Sequence, residues 1–142
     1  MIDISSKIMI KLNPCTPDDY KFVYSLVENM FKTNLNVTYL KLENFDEFVS
    51  RAFSEDDIHY IILNEKEEKM GHIHIMSNNE IGYAIIKKFQ NKGIGTEAVQ
   101  KIIKLHPRER YFLTIHNQNK ASIRIAEKNG FNAKGPIFEK FN

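Results

Sequence analysis

Gln90-Asn91-Lys92-Gly93-Ile94-Gly95-Thr96 is the stretch on which the reading of this chain turns. Ahead of it, residues 80–86 (E-I-G-Y-A-I-I) have the apolar character of a strand. Behind it, Ala98, Val99, Ile102 and Ile103 recur at helical spacing over 93–105, and Pro107 stops the helix. Glycines between a strand and a helix let the backbone come close to a ligand. The unpaired N–H groups of the first helical turn can then hold phosphate oxygens. A Walker loop must end Gly-Lys-Ser/Thr, and Gly95 is followed by Thr96 and Glu97, so that pattern fails. Gly93-x-Gly95-x-x-Ala98 fits the loose dinucleotide pattern. That pattern also expects an acidic residue about 20 positions on, and residues 113–117 contain none. Too little chain follows for a doubly wound sheet.

Working upstream, 58–63, 71–76 and 80–86 read as three strands joined by polar turns at 64–69 and 77–79, an antiparallel meander. Before them, 7–12 is a short strand. Thr16 reads as an N-cap and Pro17 as the first helical residue, with Asp18 and Asp19 favouring the positive end of the helix. Phe22, Val23, Leu26, Val27, Met30 and Phe31 then recur at helical spacing. A second helix starts near Asn44 and carries Phe45, Phe48, Val49, Ala52 and Phe53; both stripes are core faces. Downstream, 111–115 reads as a buried strand. Residues 119–129 read as a helix with Ala121, Ile125 and Ala126 inward and Gly130 as its cap, and 131–141 as one or two short strands. The order β-α-α-β-β-β-α-β-α-β predicts an α/β (α+β) fold. It is one domain over 1–142, with a mostly antiparallel mixed sheet flanked by about four helices.

Composition narrows the class. The 142 residues are 42% hydrophobic and 27% charged, ordinary globular values that exclude disordered, collagen-like and coiled-coil chains. No apolar run approaches the roughly 20 residues of a membrane helix. Residues 1–10 do not have the pattern of a secretory leader, and Cys15 is the single cysteine, so neither an internal disulfide nor a cysteine-based metal site can form. A cytoplasmic protein is the expectation. The net charge of +2 is too mild to make nucleic acid the main partner. The charge is uneven: residues 1–86 hold 8 Lys/Arg against 14 Asp/Glu, and 87–142 hold 12 against 4. Such a split suits a cationic ligand on the first half and an anionic one on the second, and equally suits two solvated faces.

The loop and its flanks resemble the GNAT superfamily of N-acetyltransferases. Gln90-x-x-Gly93-x-Gly95 resembles the family's Q/R-x-x-G-x-G/A pyrophosphate loop. Ile81-Gly82-Tyr83-Ala84-Ile85, then the loop, then Thr96-Glu97-Ala98 looks like the branch containing the ribosomal-protein alanine acetyltransferases. Asn119-Lys120-Ala121-Ser122 followed by Glu127-Lys128-Asn129-Gly130-Phe131 is similar to that branch's N-x-x-S … E-K-x-G-F signature. The resemblance runs from about Lys7 to the end of the chain.

It implies acetyl transfer from acetyl-CoA to a primary amine, by direct attack in a ternary complex. Coenzyme A would be held by Gln90, Asn91, Lys92, Gly93, Ile94, Gly95 and Thr96, by the strand backbone at Ile85 and Ile86, and by Asn119, Ser122 and Arg124. A backbone N–H on that strand would polarise the acetyl carbonyl. The attacking amine must be neutral, and an alkylammonium has a pKa near 10.4. Glu80, at the start of the strand, is the first candidate base, and a glutamate that merely closes the 77–79 turn is the competing reading. His74 and Tyr83 are secondary candidates. Many relatives place a tyrosine four residues before the Gly-Phe pair to meet the leaving thiolate. Here that position is Ala126, so Ser122 becomes the candidate on the thiol side, although a hydroxyl satisfied within its own helix would look the same. Asn119 suits both pantetheine binding and helix capping. The acidic residues Glu28, Glu43, Asp46, Glu47, Glu55, Asp56 and Asp57 lie in the part that shapes the acceptor side in this family, so the acceptor is expected to be cationic: a protein N-terminus or lysine, a polyamine, or an amino sugar. A non-catalytic acetyl-CoA-binding regulatory module is the alternative.

Other clusters read blandly. His72 and His74 have the i, i+2 spacing of two ligands, but no third is identifiable, so no metal is expected. His59, His106 and His116 look scattered. Cys15 beside a proline lacks a helper that would make it a nucleophile. The expected partners are therefore acetyl-CoA and an amine, with no nucleic acid or membrane, in a monomer or homodimer.

Overall fold

The computed structural model describes residues 9–33, 35, 37 and 41–142. Four strands form one antiparallel sheet in chain order, β1 (Lys11–Pro14), β2 (Ile58–Leu63), β3 (Lys69–Ile75) and β4 (Ile81–Ile85). The order of the sheet follows from its turns. Asn64 Oδ1 accepts from the amides of Lys66 and Glu68, both at 2.9 Å, and folds β2 back onto β3. Asn79 takes a left-handed φ of 77° and Asn78 Oδ1 accepts from the Glu80 amide, which returns β3 into β4.

Helix α1 (Tyr20–Thr33) begins after a single 3-10 turn over Pro17–Asp19, and α2 is Phe45–Ala52. Asn44 caps α2: its Oδ1 accepts from the Glu47 amide at 2.9 Å, and the Glu47 carboxylate accepts from the Asn44 amide in return. Helices α3 (Ile94–Leu105) and α4 (Lys120–Lys128) complete the fold. Among the described residues, no helix is long and apolar enough to cross a membrane.

Strand alternation divides the core into two layers. On one face Ile62, Ile73, Ile75 and Ile81 pack against Ile94, Ala98, Val99 and Ile102 of α3. On the other, Ile61 and Leu63 pack against Val23 of α1 and Phe48 of α2. Each fully buried Ile or Val contributes about 1.5–3 kcal/mol, so the α3 layer, with more such residues, is the main anchor of β4. Asp19 is a buried exception. Its carboxylate accepts from Lys69 at 2.7 Å and from the Thr16 amide at 2.9 Å.

Four sequence expectations change. The first strand runs over Lys11–Pro14, because its register is set by pairing with β2 from Leu63 to Tyr60; residues 7 and 8 lie outside the described residues. The strand expected over 111–115 reduces to a single bridge at Phe112, since the chain beyond it leaves the edge of β4. Residues 131–141 form no strand and stay exposed except Phe131, with Phe138 at 90% exposure, and pair with neither edge of the sheet. Ala121 is exposed, so α4 faces the core through Ile125 and half-buried Ala126.

Candidate active site

The site begins as an unfilled edge. Strand β4 pairs with β3 on one side. On its other side, among the described residues, its backbone pairs only with Phe112, through Ile81 N–H to the Phe112 carbonyl at 2.9 Å and Phe112 N–H to the Asn79 carbonyl at 3.2 Å. Arg108 holds that apex: its guanidinium donates to the Met76 carbonyl at 2.8 Å and to Asn79 Oδ1 at 2.9 Å. Past the apex, among the described residues, no ladder pair joins β4 to the segment after Phe112, which leaves a wedge between them. The Ile81 amide points into it, so by alternation Tyr83 and Ile85 also present their peptide groups there. Ile86 N–H is instead committed to the Met70 carbonyl at 2.9 Å. Of the two residues expected to offer backbone, Ile85 faces the wedge and Ile86 N–H does not.

The glycine loop closes the far end of β4. Gln90 Nε2 donates to the Ile85 carbonyl at 2.9 Å. Asn91 (φ 61°) and Gly93 (φ 81°) are both left-handed, which turns the chain sharply into α3. The Glu97 amide makes the first helical bond, to the Gly93 carbonyl, so the amides of Ile94, Gly95 and Thr96 have no acceptor within the helix. They point outward at the positive end of the helix dipole, with exposed Lys92 adjacent. Gly95 is where α4 comes close: a Cβ there would sit 2.6 Å from Ile125 Cδ1. Asn129 ties the two helices, donating to the carbonyls of Thr96 (3.3 Å) and Ile125 (3.0 Å).

Ser122 lies half-buried on α4, and the Asn119 side chain accepts from its amide at 3.2 Å, so Asn119 is the helix cap. Arg124 is exposed on the same helix. Tyr83 reaches this side from β4, its ring beside Gly95. Its hydroxyl is buried and makes no hydrogen bond of normal geometry. Burial pushes its pKa up, and the nearby Ser122 hydroxyl pulls only partly back. Sequence reading gave Tyr83 to the amine side; alternation gives it to the α3–α4 side.

Glu80 stands at the apex. Its carbonyl accepts from the Met76 amide, and its own amide bonds Asn78. It therefore closes the turn, and alternation also places its side chain on the α1–α2 face with Gly82 and Ala84. That face carries three histidines rather than two. The β2–β3 register sets His59 directly opposite His74. His59 Nδ1 lies 2.9 Å from His72 Nε2. Burial lowers the pKa of all three, of His74 to about 4, with neighbouring imidazoles adding to the effect at His72 and His74. The rings are neutral at pH 7. His59 was missed as the third ring because its partner is set by strand register, which residue spacing alone does not reveal.

Burial and the Asp19 carboxylate push the Cys15 thiol up to about 11, which leaves it a poor nucleophile. Several acidic residues of the first half are structural. Glu43 pairs with Arg51 at 2.6 Å, Glu47 belongs to the α2 cap, and Asp57 accepts from the Ser77 amide. Asp46 instead lines an open groove between α1 and α2 with Asp18, Tyr20 and Phe45.

Residues 10–132 match the acetyltransferase (GNAT) domain family, and the chain belongs to that family. No curated protein matches it by sequence. Among solved structures it is similar to a domain from Methanocaldococcus jannaschii, with a TM-score of 0.77 and 22% identity over 90% of this chain and 91% of that one. It is also similar to the spermidine N-acetyltransferase of Vibrio cholerae in complex with CoA and spermine, with a TM-score of 0.75 and 17% identity over 94% and 86%. A dodecameric form of the Vibrio cholerae enzyme gives a TM-score of 0.72 at 16% identity over 93% and 84%. At these identities the likeness is one of fold.

Proposed function

We propose that this protein moves an acetyl group from acetyl-CoA to a cationic primary amine by direct attack, in the branch that contains the ribosomal-protein alanine acetyltransferases. One observation carries the reading. A free strand edge runs from the buried Tyr83 hydroxyl beside Ser122 to three outward amides at the start of α3. A pyrophosphate suits the amides of Ile94, Gly95 and Thr96. An amide-bearing arm suits the open peptide groups of Tyr83 and the Ile85 N–H, the Ile85 carbonyl being held by Gln90, with Asn91, Lys92, Asn119 and Arg124 at its margins. Bound there, acetyl-CoA supplies an activated thioester carbonyl.

The chain's own groups would do the rest. An edge N–H on β4 polarises the carbonyl. Less than about one in a thousand alkylamines is neutral at pH 7, so the Glu80 carboxylate takes the ammonium proton, directly or through water, on the α1–α2 face. Tyr83 and Ser122 lie on the opposite face and meet the departing sulfur. A thiol has a pKa of about 8.5 and tyrosine about 10, and Tyr83 is pushed higher still. Its part is therefore to donate a hydrogen bond to the thiolate rather than to surrender its proton. The raised Cys15 pKa argues against an acyl-enzyme route. Asp46 and Asp18, two carboxylates against the one cation Lys21 in the α1–α2 groove, favour a cationic acceptor, as does the polyamine bound by the similar Vibrio cholerae enzyme.

The test is coenzyme A release from acetyl-CoA against polyamines, lysine peptides, free N-terminal peptides and amino sugars. Turnover is expected with one class. Tyr83→Phe with Ser122→Ala should cut kcat by about 100-fold, within the range for positioned acid–base groups, while acetyl-CoA binding persists. Acetyl-CoA binding without turnover of any acceptor would favour the non-catalytic binding module. Absence of acetyl-CoA binding would refute the whole reading.

A further inference from the structure

The three histidines on the α1–α2 face form a compact cluster. Their ring centroids are separated by 5.1, 5.2 and 5.3 Å, close to an equilateral triangle. Each ring offers one nitrogen such that the three nitrogens lie within 4.8 Å of one another. The rings come from two adjacent strands of the sheet interior, His59 on β2 and His72 and His74 on β3, so their backbones are fixed by the ladder. Gly82 of β4 is paired with His74, and a Cβ at that position would lie 2.5 Å from His74 Nε2. Glycine there is what lets the third ring lie in the cluster. Phe53 packs against His59 with ring centroids 4.7 Å apart and forms an apolar wall.

Hydrogen bonding within the cluster does not account for it. His59 Nδ1 and His72 Nε2 satisfy each other and His59 also lies beside the Ala52 backbone, yet His74 Nδ1 is buried without a partner. Buried nitrogens left unpaired are rare in native structures. A sheet face that needed only packing would carry branched aliphatics, as the opposite face does at Ile73 and Ile75.

We propose that His59, His72 and His74 form a three-imidazole site for a divalent first-row transition ion, Zn²⁺ foremost. Imidazole suits zinc, copper, nickel and cobalt, whereas magnesium and calcium need oxygen donors. Zinc–nitrogen bonds of about 2.0–2.1 Å in a tetrahedron set the ligand nitrogens about 3.3 Å apart. The 2.9 Å pair opens slightly to reach that spacing, and the third nitrogen moves inward by side-chain rotation. Three protein ligands leave the fourth position to a non-protein donor. The Asp57 carboxylate acts electrostatically on His59 and His74, opposing the Arg51 guanidinium at His74, and accepts from the Ser77 amide, which fixes it near the cluster. The inference stands independently of acetyl transfer.

The test uses the full chain, stripped with EDTA and titrated with Co²⁺ while visible absorption is recorded, then with Zn²⁺ in competition. A one-to-one complex with tetrahedral Co²⁺ bands, displaced by Zn²⁺, is expected. His74→Gln should weaken it at least tenfold, and His116→Gln, outside the cluster, should leave it unchanged. If His74→Gln does not fold, Zn²⁺-induced shifts of the imidazole ¹⁵N resonances in the unaltered protein decide instead: three shifted rings support the site. No one-to-one complex, equal binding by the folded His74→Gln variant, loss of binding on His116→Gln, or fewer than three shifted rings would overturn it.

Discussion

Gly71→Ala tests the frame that holds the wedge. Gly71 lies in β3 opposite Ile85, and a Cβ there would run into the Ala84 carbonyl oxygen, far inside contact distance, and lie 3.1 Å from Ile85 Cα. Both obstacles are backbone, so no side-chain rotation relieves them. The strands must part, and the ladder bonds on either side weaken: those of the His72–Ala84 pair and that of Ile86 to Met70 at 2.9 Å. Two to three such bonds at about 1 kcal/mol each, plus overpacking of about 1–3 kcal/mol, come to about 3–6 kcal/mol. The smaller conformational freedom of alanine in the unfolded chain returns about 0.4–1 kcal/mol. The net loss, about 3 kcal/mol, is a large part of the 5–15 kcal/mol typical of a domain. Urea unfolding followed by circular dichroism measures it. Gly130→Ala is the comparison, since open space surrounds that position and only its φ of 82° opposes a side chain; it should cost about 1 kcal/mol. A loss below 1 kcal/mol for Gly71→Ala, or a larger loss for Gly130→Ala, would refute the β3–β4 register and with it the direction in which Tyr83 and Ile85 face.

Asp19→Asn should destabilise the protein at pH 7 by about 1–2 kcal/mol, a moderate figure because Lys69 is substantially exposed. Burial pushes the Asp19 pKa up, but hydrogen bonds from Lys69 and Thr16 outweigh it and hold the carboxyl below the usual 3.8. The stabilisation is thus complete above that value and fades as pH falls through the lower folded pKa; chemical unfolding of both proteins from pH 7 to 2.5 should show their curves converging at the acid end. Arg108→Ala removes two hydrogen bonds from the wedge apex and should cost about 2 kcal/mol. Hydrogen exchange should speed up first at the Ile81 and Phe112 amides, and uniform acceleration would count against a local role. Cys15, with its thiol pushed up to about 11, should react with a disulfide reagent at pH 8 at least tenfold slower than a free thiol of pKa about 8.5; equal rates would show that the thiol is not held neutral.

What was readable from sequence and what was not divides along one physical line. Periodicity and capping depend on neighbours a few residues away, so α1, α2, α3, α4 and the strands Ile58–Leu63, Lys69–Ile75 and Ile81–Ile85 were legible to within two or three residues. The glycine loop was legible for the same reason, since Gly93 and Gly95 mark it locally between a strand and a helix; the left-handed turns at Asn91 and Gly93 were seen only in the structure. Pairing partners are not local. Residues 111–115 have the composition of a strand, yet only Phe112 finds β4, because Arg108 pins the apex and the chain beyond it diverges. A local reading cannot distinguish a strand with a partner from one that has left the sheet.

The two features that matter most for chemistry are both products of pairing. The wedge exists because 113–118 does not continue the ladder, and the histidine triangle exists because His59 falls opposite His74. Alternation then sorts the reactive groups: Glu80 and the histidines fall on the α1–α2 face, Tyr83 and Ser122 on the α3–α4 face. A one-residue slip of β4 against β3 would exchange these faces. It would send Tyr83 among the histidines and Gly82 beneath α3. The single register that keeps Gly82 against His74 and Gly71 against Ile85 therefore keeps Glu80 and Tyr83 on opposite faces of the sheet.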